Sequence, residues 1–82
     1  MLTIDHSPHF LSLIAKIRNN DDKEKIKKQI KKIIENPEIG KPMRYTRKGT
    51  REVYTGSFRL SYAYLKEENK ILFLDLYHKD EQ

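Results

Sequence analysis

Arg59 is the side chain in this sequence best suited to holding an anion. It sits in Phe58-Arg59-Leu60-Ser61-Tyr62-Ala63-Tyr64-Leu65, where Phe58, Leu60, Tyr62 and Tyr64 share one face of a strand and Arg59, Ser61, Ala63 and Leu65 the other. A guanidinium fixed on a rigid strand is shaped for bidentate contact with phosphate. Glu52, one strand earlier, offers a carboxylate that either acts as a base or only neutralises Arg59. Tyr54 offers a flat ring on which a nucleobase would stack. Further on stand His78 and Lys79. An imidazole is suited to proton transfer near neutrality, although a lone His at a strand end is as often a cap. Lys79 would bind phosphate or simply be solvated.

The basic residues are concentrated around this stretch. The net charge is +5, and between Lys41 and Leu65 six basic residues (Lys41, Arg44, Arg47, Lys48, Arg51, Arg59) face one acid, Glu52. A polyanion would be held there, with Arg44, Arg47, Lys48 and Arg51 binding its backbone. The alternative is that these residues merely solvate a small protein.

There is no Cys, which excludes a disulfide framework and a thiolate zinc site and fits an intracellular, cytoplasmic protein. No run of apolar residues is long enough to span a membrane. His6 and His9 read as surface or cap residues rather than a metal pair, because no third ligand lies near them. No cofactor and no metal are expected.

The elements that must position these side chains can be read in order. Eighty-two residues form one domain, 1–82. Leu2 and Ile4 alternate with Thr3 and Asp5 as a short strand. Ser7-Pro8 opens a helix with the apolar stripe Phe10, Leu13, Ile14 and Ile17. Asn19-Asn20-Asp21-Asp22 breaks it, and a second helix runs from about Lys23 to Glu35, with Ile26, Ile30, Ile33 and Ile34 inward. Asn36-Pro37 ends that helix. A polar, basic loop from Ile39 to Gly49 follows. Arg51–Thr55, Phe58–Leu65 and Ile71–Tyr77 read as three antiparallel strands, joined by a Gly56-Ser57 hairpin turn and by Glu67-Glu68-Asn69. The expected fold is α+β: an N-terminal strand and a helical hairpin packed on one face of a small antiparallel sheet. The third strand is nearly all apolar and is expected to be central. The helices should cover the Leu60/Tyr62/Tyr64 face. Glu52, Tyr54, Arg59 and Ser61, together with His78, should project from the other.

The chain resembles the RelE/ParE superfamily of toxins from type II toxin–antitoxin systems. The resemblance rests on Gly49-Thr50-Arg51-Glu52-Val53-Tyr54-Thr55-Gly56-Ser57-Phe58-Arg59-Leu60-Ser61-Tyr62 and on Leu74-Asp75-Leu76-Tyr77-His78-Lys79. Ile39-Gly40-Lys41-Pro42 with Tyr77-His78 is most similar to the YoeB branch. It implies a RelE-like fold and a ribosome-dependent, metal-independent mRNA endoribonuclease that blocks translation. The ribose 2′-hydroxyl would attack the adjacent phosphate and the 5′ oxygen would leave. The implied catalytic residues are Arg59 for the phosphate, His78 to protonate the leaving oxygen, Lys79, and Glu52 as a candidate base; Tyr54 joins the RNA-binding residues. Glu52 and Tyr54 stand where the RelE branch carries lysines, and Met43 replaces an acid of the YoeB branch. The implied partners are a cognate acidic antitoxin, the ribosome and mRNA. Alternatives are a ParE-like inhibitor of DNA gyrase, or a catalytically weak relative that acts as an antitoxin-binding module.

Overall fold

A computed structural model describes residues 2–42 and 49–81. Its elements are β1 (Thr3–His6), α1 (Pro8–Ala15), α2 (Asn20–Glu35), β2 (Lys41–Pro42), β3 (Thr50–Thr55), β4 (Phe58–Leu65) and β5 (Lys70–His78). Short 3-10 turns lie at Lys66–Glu68 and Lys79–Glu81.

Local chemistry sets the helix starts. Ser7 caps α1: its Oγ accepts the Phe10 amide at 3.1 Å, and Pro8 occupies the first turn. Asn19 Oδ1 accepts the amides of Asp21 at 2.8 Å and Asp22 at 3.2 Å. The second helix therefore begins at Asn20, before the expected Lys23, with Asp21 and Asp22 at the positive end of its dipole. Gly56 has φ +62° and Asn69 φ +51°, as the two turns require.

The sheet has five strands in the order β1-β5-β4-β3-β2. It is mixed rather than purely antiparallel. β1 runs parallel to β5, with Ile4 opposite Ile71 and His6 opposite Phe73. The helical hairpin supplies the crossover that a parallel pair needs. Strand β5 is interior, as expected of its apolar run, between β1 and β4, and β4 is the middle strand of the five. β2 belongs to the stretch read as a loop: Lys41 pairs with Glu52 and Pro42 with Arg51. Proline is tolerated there because β2 is an edge.

Phe10, Ile26 and Ile33 from the helices and Ile17 from the turn between them meet Val53, Leu60, Tyr62, Ile71, Phe73 and Leu76 from one face of the sheet. Tyr62 is fully buried, yet its hydroxyl donates to the Pro37 carbonyl at 2.7 Å and accepts the Gly40 amide at 2.9 Å. A Cβ on Gly40 would stand 2.6 Å from that hydroxyl and 2.9 Å from Arg51 Cβ, so only glycine fits.

One irregularity decides which side chains reach the other face. Between β4 and β5, Ser61 pairs with Asp75 but its neighbour Tyr62 pairs with Phe73, leaving Leu74 as an extra residue. This is a β-bulge, and it reverses the alternation of β5. Ile71 and Phe73 face the core before it, Leu76 after it. Ser7 Oγ donates to the Leu74 carbonyl at 3.1 Å, so the cap of α1 also satisfies the bulge.

Candidate nucleic-acid interface

The face away from the helices carries two cross-strand rows. In one, Tyr77, Arg59 and Tyr54 are neighbours across β5, β4 and β3; in the other, Asp75, Ser61, Glu52 and Lys41 are. Ser61, expected to be free, is buried among longer neighbours.

Arg59 is the hub. Its guanidinium carbon lies 4.9 Å from the Tyr54 ring centroid, a cation–π contact, and its Nη1 is 3.9 Å from Glu52 Oε1. The Arg59 side chain is 28% exposed and that of Glu52 14%. Tyr77 donates its phenol to Glu52 Oε2. Burial and that hydrogen bond, together with the carboxylate's charge, push the Tyr77 phenol up to about 12. It is a hydrogen-bond donor at any physiological pH. Tyr54 is 62% exposed and presents an open ring.

Beside these residues is a recess of about 210 Å³ lined by Tyr54, Gly56, Phe58, Arg59 and Lys79. Lys79 reaches it because its amide donates to the Ser57 carbonyl at 2.9 Å, which ties the end of β5 to the hairpin turn. Lys25, from α2, also reaches over that turn: a Cβ on Gly56 would meet its Cδ at 3.5 Å and its Nζ at 3.8 Å. The arrangement joins two cations and a free aromatic face, with a third cation close by and one carboxylate at the rim. It suits a phosphodiester with a stacked base.

The structure thus brings together Arg59, Glu52, Tyr54 and Lys79. It does not bring His78 to them. His78 pairs with Phe58 on the helix-covered side, its ring edge-on to Phe58 at 5.5 Å. It lines a separate recess of about 450 Å³ with Leu13, Lys16, Ile17, Arg18 and Leu76 among others. Its Nδ1 accepts the Asp80 amide at 3.3 Å and lies 3.5 Å from Asp80 Oδ2. The expected shared face for Arg59 and His78 is corrected by the bulge at Leu74, which turns Tyr77 outward and His78 inward. Arg51 also lies on the helix side, opposite Tyr62, and its Nη1 donates to the carbonyls of Glu38 at 3.0 Å and Gly40 at 2.7 Å. That guanidinium pins the segment before β2. Arg44, Arg47 and Lys48 lie outside the described residues.

Sequence reasoning missed Tyr77 and Lys25. A signal for Tyr77 was present: unbroken alternation from Ile71 would place Asp75 in the core, and an unpaired buried carboxylate is too costly. Lys25 gave no local signal. Among the described residues, no group of three His, Cys, Asp or Glu could hold a metal ion, and no helix is long and apolar enough to cross a membrane.

Comparison with known proteins places this geometry. No curated protein matches the sequence. Among solved structures, the toxin–antitoxin complex RelBE of E. coli contains a chain with TM-score 0.80 and 18% identity, covering 95% of this chain and 96% of that one. A RelBE complex of Mycobacterium tuberculosis matches at TM-score 0.75 and 21% identity, with 94% and 96% covered. A toxin from Helicobacter pylori, described as metal-bound, matches at TM-score 0.72 and 28% identity, with 99% and 98% covered. The fold is therefore that of the RelE toxins. Residues 5–82 match the family described as ParE toxin of type II toxin–antitoxin system, parDE, and the chain belongs to that family. It is a toxin of the type II toxin–antitoxin class.

Proposed function

We propose that this toxin is a ribosome-dependent mRNA endoribonuclease whose working surface is the open face around Arg59. The observation that carries the reading is the recess in which Arg59 and Lys79 converge beside the exposed ring of Tyr54. Arg59 holds the scissile phosphate and offsets the charge of the phosphorane. Tyr54 stacks on a neighbouring base. Glu52, whose Oε2 is occupied by the Tyr77 phenol, accepts the 2′-hydroxyl proton at Oε1. The Lys79 ammonium supplies the proton to the departing 5′ oxygen. His78, on the far side of the sheet, has no part in this scheme. The toxin acts in the cytoplasm, and a cognate acidic antitoxin covers its basic surface; the charge of +5 and the toxin–antitoxin complexes formed by its structural neighbours support this.

Primer extension on translated mRNA after brief induction tests the reading. Codon-phased cuts should disappear in Arg59→Ala, fall at least roughly 10²-fold in Lys79→Ala, and persist in His78→Ala. A second reading, inhibition of DNA gyrase by binding alone, is favoured by the family match and by the imidazole's absence from the open face. Growth arrest with intact mRNA and blocked supercoiling would establish it instead.

A further inference from the structure

We propose that Tyr77 is a positioning residue that holds Glu52 off Arg59 and so keeps the guanidinium available to a phosphodiester. This rests on the RNA-binding reading of the open face. A carboxylate one strand away is the natural competitor of phosphate for an arginine, because both accept the same fork of donors. Glu52 and Arg59 are diagonal neighbours on β3 and β4, close enough to form a tight bidentate pair. They do not form one: the nearest approach is 3.9 Å, beyond hydrogen-bond distance.

What engages Glu52 instead is the Tyr77 phenol, bonded to Oε2 from the opposite side of β4. Tyr77 is directly across from Arg59 in the ladder, so its phenol reaches across β4 to the carboxylate. Meanwhile Arg59 rests over the Tyr54 ring, a neutral support that occupies none of its N–H donors. The Leu74 bulge sets this orientation, since unbroken alternation from Ile71 through Leu74 would turn Tyr77 toward the helices. Removing the phenol would free Glu52 to close on Arg59, and the anion would then have to displace it.

Two measurements test this. The first follows the Arg59 Nε–H resonance by ¹⁵N NMR in the protein alone. In Tyr77→Phe it should move downfield as the guanidinium closes on the carboxylate, and in Tyr77→Phe/Glu52→Gln it should return. An unmoved resonance in Tyr77→Phe overturns the proposal whether or not the protein binds RNA. The second is fluorescence anisotropy with a labelled single-stranded RNA oligonucleotide. Tyr77→Phe should bind roughly 5- to 10-fold more weakly, the effect of one exchanged hydrogen bond. Glu52→Gln should bind more tightly than wild type, and the double variant should equal Glu52→Gln. If Tyr77→Phe weakens binding equally with Gln at position 52, Tyr77 acts otherwise and the inference fails. If Arg59→Ala leaves RNA affinity unchanged, the RNA reading of the site fails, while the resonance still decides the positioning claim.

Discussion

The β3–β4 hairpin and strand β5 contribute the two halves of the open-face cluster, and they follow different rules. In the hairpin, alternation runs unbroken: Val53 pairs with Leu60 toward the core, while Glu52 and Tyr54 face outward with Arg59. In β5, one extra residue reverses the sense halfway, so that Phe73 and Leu76 face the core three positions apart. A strand's period transmits facing information only as far as the first bulge.

The contrast can be tested by deletion. Removing Ser61 from β4 should be the most damaging change, because it turns Arg59 or Tyr62 to the wrong face. We expect a loss of more than about 4 kcal/mol and no cooperative far-UV circular dichroism melt. Leu60→Ala, in the same strand but with its register kept, should cost about 2–5 kcal/mol by urea denaturation, since Leu60 is fully buried. Removing Leu74 from β5 should cost far less, about 1 kcal/mol, which is the hydrogen bond from Ser7. The shortened strand would regain regular alternation with Leu76 still inward and Tyr77 still outward. If deleting Leu74 unfolds the protein as deleting Ser61 does, the proposed asymmetry is wrong.

A further effect concerns pH. The Tyr77 phenol is raised in the folded protein from 10.0 to about 12, chiefly by burial and then by Glu52. The folded state therefore favours its protonated form. That contribution to stability is complete below about pH 10 and is lost as pH rises toward 12. Burial raises Tyr62 as well, so both phenols titrate late. In Tyr77→Phe, absorbance titration should show one fewer late-ionising tyrosine, and the decline in stability above pH 10 should be shallower.

These residues also mark what could be read in advance. Ser7-Pro8, the isoleucine stripe of α2, Gly56 and the Phe58–Leu65 pattern each act through neighbours a few positions away, and each was legible. So were Arg59, Glu52 and Tyr54 as one outward group, because the hairpin is local. Lys79 was legible only as one of two equal readings. His78 was assigned to the wrong face because its orientation depends on Leu74, whose extra place in the strand is secured by Ser7, remote in sequence. The parallel pairing of β1 and the small strand β2 are likewise long-range choices, made by the crossover and by pairing with β3. Arg51 looked like a surface cation because nothing nearby announced that the carbonyls of Glu38 and Gly40 would claim it.

The parallel pairing of β1 with β5 has a temporal meaning. A polypeptide emerges from its amino end, so β1 and α1 are made long before the strand on which both rest. Until β5 pairs, β1 and α1 lack the strand on which they pack. The Arg59 cluster is likewise incomplete until β5 brings Tyr77 and Lys79 to it. The last strand to be made thus completes both the amino-terminal edge of the sheet and the open-face cluster.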